Sequence, residues 1–386
     1  MILIHHGALG DFLTVWPCAL AVSRAFPDSE LCWAGAADRL QWLEPLGFSR
    51  CPPPARKALD RLYGADTWPE ELEGSLTLWF VLDRVPEVPE SACCRFLKAL
   101  PTRESGATNA QEAHDSHPGQ AAGQAMDTRL AQTIARNITG DDHRSGPEIP
   151  SHEAPGRNRH VRDAYARGLA DLGIPAVPGW LDEFRRLFAA RRQPGRQVLL
   201  FPGAGHPGKQ WPMVQFFRLA DMIRAKGLEP LFVLGPAELE RGLLPEGQPH
   251  ASPENLHALS SLILAARAIV GADTGPMHLA GMLGVPGASL FGPTDSGVWG
   301  PVGMRVINLG LDCSPCTATC ADLDCPEQRC MRDIPAERVM MELEELLAKR
   351  KNGFQDPGFL ESRFWQKEED DLHRARTGPT NTKPEK

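Results

Sequence analysis

The stretch Gly271-Ala272-Asp273-Thr274-Gly275-Pro276-Met277-His278-Leu279-Ala280 sets glycines, a proline, a carboxylate and an imidazole directly after an apolar run. The run, residues 262–270, reads as a buried strand or the helix leading into one, and Pro276 suits the first position of a helix that Gly284 closes. A strand that turns into a helix leaves the first helical N–H groups free. Their positive dipole end favours an anion such as phosphate. Thr274 and His278 can add donors, while the plainer alternative is a capped helix in which Asp273 or Thr274 serves only as N-cap. A second short apolar strand at 287–291 runs into the polar turn Gly292-Pro293-Thr294-Asp295, so two strand ends face one cleft.

Similar strand, glycine turn and helix patterns recur. Residues 1–5 read as a strand, 7–11 as a glycine turn and 12–26 as a helix, with further strands at 31–35 and 76–82. The block 1–175 is expected to be an α/β domain with a parallel sheet. Within it, 101–158 has no aromatic residue and no valine, so it cannot bury enough surface to order itself. Its histidines, His114, His117, His143 and His152, follow no metal-ligand spacing.

A linker helix is expected in 176–195. It carries Trp180, Leu181, Phe184, Leu187 and Phe188 on one side with arginines around them, and reads as a domain-bordering helix with a basic face. Docking on an anionic membrane is the alternative. A second α/β unit spans 196–348, with strands at 198–201 and 230–234 flanking a glycine-rich loop and a helix. Residues 349–386 are expected to hold a C-terminal helix and a charged tail.

At 386 residues the chain can hold two full cores, and a net charge of -8 speaks against gripping nucleic acid through the overall field. No apolar run reaches the ~18 residues that span a bilayer, and the start lacks a positive leader. The expectation is a cytoplasmic protein, at most peripheral on the inner face of the cytoplasmic membrane. Ten cysteines in such a chain suggest reduced thiols.

Four loops fall at the carboxyl ends of expected parallel strands: 7–11, 203–209, 235–238 and 273–278. In open α/β sheets ligands bind beyond those ends. In Gly203-Ala204-Gly205-His206-Pro207-Gly208-Lys209 the small residues let backbone N–H groups approach a phosphate, and Lys209 offers a point charge. It is not a P-loop, since the Gly-Lys-Ser/Thr ending is absent. Asp11 suits either an N-cap or a general base, and Glu238 either a first-turn residue or an acceptor for the two hydroxyls of a ribose.

Taken together, Leu9-Gly10-Asp11, Pro202-Gly203-Ala204-Gly205, Lys209-Gln210-Trp211-Pro212, the run from Asp273 to Ala280, Leu290-Phe291-Gly292-Pro293-Thr294-Asp295 and Trp299-Gly300-Pro301 resemble a known family. It is the ADP-heptose:lipopolysaccharide heptosyltransferases, glycosyltransferase family nine. The resemblance covers the first two dozen residues and about 158 to 345. It implies a GT-B fold, two Rossmann-like domains facing each other across a cleft, with acceptor on the first and nucleotide sugar on the second. It further implies inversion, with Asp11 as the base and Lys209 and Asp273 at the transferred sugar and its phosphate. Gly203, Ala204 and Gly205, with Thr274, Gly275, Pro276, Met277 and His278, would line the nucleotide-sugar site, with Glu238 at the ribose. Two departures stand out: His5-His6 occupy the place of a common arginine, and His206 that of hydroxyl residues used by some members.

The implied partners are an ADP-sugar donor and a glycolipid or glycan acceptor, with no nucleic acid and no required cofactor. Cys313, Cys316, Cys320, Cys325 and Cys330 form a separate cluster whose spacing suits a structural zinc or an iron–sulfur group. Packed thiols are the competing reading. Two rival functions remain open: a nucleotide-sugar epimerase on the same architecture, and a non-catalytic nucleotide-sugar sensor governed by the cysteine knuckle.

Overall fold

In a computed structural model of the chain, the described residues are 1–61, 69–72, 75–82, 94–100, 160–190, 192–319 and 323–351. The insert at 101–158 with its four histidines, Cys320 and the tail beyond 351 lie outside them.

The first lobe holds β1 (Ile2–His5), α1 (Leu9–Ala25), β2 (Leu31–Gly35), β3 (Phe48–Arg50), α2 (Pro53–Arg61), β4 (Thr77–Val81), β5 (Cys94–Lys98) and α3 (Val161–Asp171). Its five strands are parallel in the order β3-β2-β1-β4-β5. Strands β1, β2 and β4 are buried at every position, as a sheet covered on both faces requires. Alternation sorts their side chains. Leu3, Trp33, Leu78 and Phe80 pack with α1 and α3, while Ile2, Ile4, Ala34 and Trp79 pack with Ala58 and Leu59 of α2.

Helix α4 (Trp180–Phe188) leads to the second lobe: β6 (Gln197–Phe201), α5 (Met213–Ala225), β7 (Glu229–Val233), α6 (Pro236–Glu240), β8 (His250–Ala251), α7 (Leu256–Ala265), β9 (Ala268–Ala272), α8 (Gly275–Met282), β10 (Gly287–Leu290), α9 (Ser296–Trp299), β11 (Arg305–Ile307), α10 (Arg329–Arg332) and α11 (Ala336–Lys351). Six parallel strands run β11-β10-β9-β6-β7-β8. Strand order reverses between β1 and β4 in the first sheet and between β6 and β9 in the second. Those switch points are where a doubly wound sheet opens a crevice for ligand.

One apolar cluster joins the lobes, running from Phe12 and Trp16 of α1 through Phe184 of α4 to Met277 and Leu279 of α8. Trp16 meets the Phe184 ring edge-on at 4.9 Å. Trp180 is 6% exposed and Phe184 0%, so the apolar side of α4 is spent inside the protein. This overturns lipid docking through that face. Its basic side makes surface pairs instead: Arg186 with Glu183, and Glu183 with Arg24 of α1.

A second strut is His160, whose Nδ1 accepts from the Arg162 N–H while Nε2 lies 2.9 Å from the Gly300 carbonyl. Burial, and then the charge of Arg162, bring this histidine down to about 4, so a neutral ring tied at both nitrogens spans the lobes. The helix expected within 349–386 begins at Ala336. Val339, Met340 and Leu343 of that helix are buried in the second lobe's core with α5, which explains why it starts inside the block 196–348. Among the described residues no helix is long and apolar enough to cross a membrane.

Candidate active site

Helices α1 and α8 start side by side. An added Cβ on Gly10 would lie 3.3 Å from His278 Cδ2 and 3.4 Å from the Gly275 Cα, and one on Gly275 would lie 2.9 Å from Leu9 Cβ. Only residues without a side chain let the two helix starts come this close. Two positive dipole ends from different lobes therefore converge on one spot, which favours an anion there. Replacing Gly275 by valine should push the lobes apart. The expected result is a loss of about 1–3 kcal/mol in stability together with a lower kcat/KM for sugar transfer. Thermal melting and steady-state kinetics check it, and an unchanged variant would show that the contact does not matter.

Asp11 occupies the first turn of α1, three residues after the N-cap position Ala8, and its Oδ2 accepts the Ala8 N–H at 3.0 Å. The capping reading of Asp11 is thus correct in part. Its second oxygen has no hydrogen-bond partner among the described residues. Burial raises the carboxyl above the ordinary aspartate range, against lowering by the Ala8 bond and by His278 and Lys209 of the other lobe. A raised carboxylate is a stronger base.

Asp273 does not cap α8, whose N-cap is Thr274. Instead its Oδ2 accepts from Lys209 Nζ and from Thr294 Oγ1, each at 3.0 Å, and Oδ1 faces His278 Nε2 at 3.9 Å. Burial alone would raise this carboxyl. His278 and the Lys209 ammonium outweigh burial and hold it below its ordinary value, so it stays ionised and keeps Lys209 in place. At 3.9 Å His278 acts through space rather than through a formed bond. Thr274 Oγ1 is buried and without a hydrogen-bond partner among the described residues.

The glycine loop after β6 brings Gly203, Ala204 and Gly205 to the same end of the sheet. Glu238 Oε2 accepts the Gly235 N–H at 2.8 Å, the reciprocal half of a helix start. A Cβ on Gly203 would come within 2.0 Å of Glu238 Oε1, so this carboxylate lies directly over the glycine loop. Met277 packs in the core behind the turn, and Pro276 stands in its first helical turn.

Residues 158–328 match the family profile of Glycosyltransferase family 9 (heptosyltransferase). The match covers less than half of the chain. Among curated relatives, lipopolysaccharide heptosyltransferase 1 of Pseudomonas aeruginosa is 34% identical over 189 residues, 47% of this chain and 53% of the relative. The chain spans about half the length of the curated relatives it matches. Among solved structures, the E. coli heptosyltransferase WaaC with ADP is similar in fold at a TM-score of 0.52 and 16% identity, over 89% of this chain and 98% of that one. The iron-containing dodecameric glycosyltransferase TibC of enterotoxigenic E. coli H10407 aligns at a TM-score of 0.53 and 14% identity, over 90% of this chain and 76% of that one.

The cysteine segment borders the site. The Cys316 N–H donates to the Pro293 carbonyl at 2.9 Å, Ser314 Oγ donates to the Gly292 carbonyl, and Trp299 Nε1 donates to the Ala318 carbonyl at 2.9 Å. Leu323 lies against Gly208 of the lysine loop. Cys313 and Cys316 are exposed, Cys325 partly buried and Cys330 buried, all as free thiols. Among the described residues no three His, Cys, Asp or Glu side chains converge as metal ligands. Burial first, and then the neighbouring cysteines, raise the Cys316 and Cys330 thiols, so the four described cysteines lie within reach of one another; Cys320, the fifth of the expected metal set, lies outside the described residues.

Two contributors escaped the sequence reading as site residues. Thr294, second donor to Asp273, belongs to the quoted Gly-Pro-Thr-Asp turn, and that position was the available signal. His5 is buried beneath the turn before α1, where an added Cβ on Gly7 would lie 2.6 Å from its Cε1 and 2.8 Å from Asp11 Cβ. Burial, then His6 and Arg39, bring His5 down to about 4, so it backs the Asp11 loop as a neutral ring. The doubled histidine gave no sign of which ring turns inward.

Proposed function

We propose that the chain is an inverting glycosyltransferase that moves a heptose from ADP to a hydroxyl of a lipopolysaccharide core or related surface glycan, at the inner face of the cytoplasmic membrane. One observation carries it: a base-strength carboxylate of the first lobe stands beside a lysine, an ionised aspartate, a histidine and an orphaned hydroxyl of the second. The family-profile match over residues 158–328 and the ADP in the WaaC structure support the choice of donor.

In this reading Asp11 takes the proton from the acceptor hydroxyl as its oxygen attacks the anomeric carbon. The bond from that carbon to the diphosphate oxygen breaks on the opposite face, which inverts the centre. ADP leaves with the bonding pair. Its growing negative charge meets the start of α8, the Thr274 hydroxyl, His278 and Lys209, all in place before reaction. Glu238 and the loop Gly203 to Gly205 would take the nucleoside side. Holding both substrates in line adds the usual gain from orientation.

Cations and N–H groups already present suit the leaving charge, so the proposal needs no bound metal. The test is transfer from ADP-heptose by purified protein, with and without chelator, together with donor-only controls. Transfer that survives chelation is expected. Conversion of the donor without an acceptor would indicate an epimerase, and nucleotide binding without any turnover a sensor. Loss of rate or melting temperature on chelation would instead give the cysteine segment a structural ion, as the iron in TibC would suggest.

A further inference from the structure

Two cysteines hold the turn that supplies Thr294. The Cys316 N–H donates to the Pro293 carbonyl at 2.9 Å and the Thr317 N–H to the same oxygen at 3.1 Å, while Thr317 and Thr294 form a parallel bridge. Cys330 meets the same turn at Gly292. An added Cβ there would lie 2.9 Å from Cys330 Sγ and 2.7 Å from Met331 Sδ, so the sulfur packs directly against the glycine. Thr294 donates to Asp273 at 3.0 Å, and Asp273 accepts from Lys209 at 3.0 Å. A run of direct contacts therefore leads from both cysteines to the lysine of the site.

The two thiols differ in access. Cys316 is exposed, whereas Cys330 is 7% exposed and belongs to the second lobe's core. An outer thiol can meet a reagent from solution, and an inner one can resolve the mixed bond that results. They are also near neighbours: after burial, Cys316 is the group that raises Cys330 most. In a chain whose thiols are otherwise reduced, a disulfide formed this way is transient and responds to the surrounding redox balance.

We propose that Cys316 and Cys330 are a reversible thiol–disulfide pair that sets the position of the Thr294 turn, and through it the Lys209–Asp273 pair, leaving the protein active when reduced and idle when oxidised. The inference rests on the transferase reading for its consequence, while the bond itself stands apart from it. The oxidant is a small disulfide such as oxidised glutathione. The Cys316 thiolate attacks one of its sulfurs, and one glutathione leaves with the bonding pair. The Cys330 thiolate then attacks Cys316 Sγ in the mixed disulfide and expels the second glutathione. Two protein thiols are oxidised, one glutathione disulfide is reduced, and the two thiol protons end on the two glutathiones. Both cysteines are free thiols in this structure. Joining them, with Cβ atoms about 3.8 Å apart, shifts at least one against the Gly292–Pro293 turn and draws Thr294 from Asp273.

The test equilibrates the full chain with oxidised glutathione or with dithiothreitol, maps disulfides by peptide mass and measures transfer from ADP-heptose in each state. A Cys316–Cys330 bond and a fall in kcat of about tenfold or more are expected, the effect of one lost hydrogen bond to a charged group. Dithiothreitol should reverse both. Cys316→Ser, at an exposed position, should keep reduced activity within about twofold and lose the response to glutathione. Cys330→Ala should lose it as well, with melting temperature showing that the variant is folded. The Trp299 indole N–H donates to the Ala318 carbonyl at 2.9 Å and so reports the position of the cysteine segment by NMR without substrate. Its signal, assigned with Trp299→Phe, should move on oxidation of the wild type and stay in place in Cys316→Ser. A chain that oxidised glutathione leaves reduced, a disulfide that omits either cysteine, or an oxidised chain that transfers at the reduced rate overturns the pair. The mapped bond and the Trp299 shift in a chain that transfers no sugar in either state would leave the pair standing and overturn the transferase reading instead.

Discussion

Asp11→Asn is expected to lower sugar transfer by about 10²–10⁴-fold, the usual contribution of a positioned general base, while leaving ADP binding nearly unchanged. The substitution keeps size and can still accept the Ala8 N–H, so the start of α1 survives. What it removes is the oxygen that can hold a proton. Single-turnover rates with ADP-heptose, alongside calorimetric ADP affinity, separate the two effects. A variant with full activity would mean that the acceptor proton leaves by another route. The acid limb of the wild-type rate should also sit above the ordinary aspartate range, because burial raises Asp11.

Lys209→Met should be costly in two ways. It strips the counter-charge from Asp273, whose side chain is only 10% exposed, and leaves Thr294 as its one hydrogen-bond donor among the described residues. An uncompensated buried carboxylate costs about 3 kcal/mol or more. Asp273 is held below its ordinary value in the folded chain, so its contribution is full above the unfolded value and is lost as pH falls through the folded one. The stability gap between wild type and variant should thus be widest near neutral pH and should close in acid. Denaturant melts at several pH values read this directly. Transfer should fall by about 10²–10³-fold, as when one donor to a developing anion is removed. A variant of normal stability at neutral pH would mean that the Lys209–Asp273 pair does not hold the second lobe's site together.

Much of the architecture was legible because parallel strands buried on both faces spell continuous apolar runs. β1, β2, β6, β7 and β10 stand where such runs end at or within two residues of a glycine or proline, while the runs of β4 and β9 end at Asp83 and Asp273. The edge strands β3, β5, β8 and β11 have two to five residues, too few to set a period, and pairing with a neighbour defines them. Helix α4 shows the limit of amphipathic reading: an apolar stripe does not say whether it meets lipid or Trp16, and the packed ring decides.

At the site, glycine, threonine and histidine types after β9 announced a helix start open to an anion. That Asp273 would spend its charge on Lys209 rather than on capping follows from a contact 64 residues apart in sequence, which no local pattern holds.

The pH dependence of kcat/KM in wild type and Lys209→Met tests most directly whether the two lobes share one reacting centre. Lys209 lowers the Asp11 carboxyl, and Asp273, once unpaired, raises it, so loss of the lysine should move the acid limb to higher pH. An acid limb at the same pH in both proteins, within the ordinary aspartate range, would contradict a shared centre.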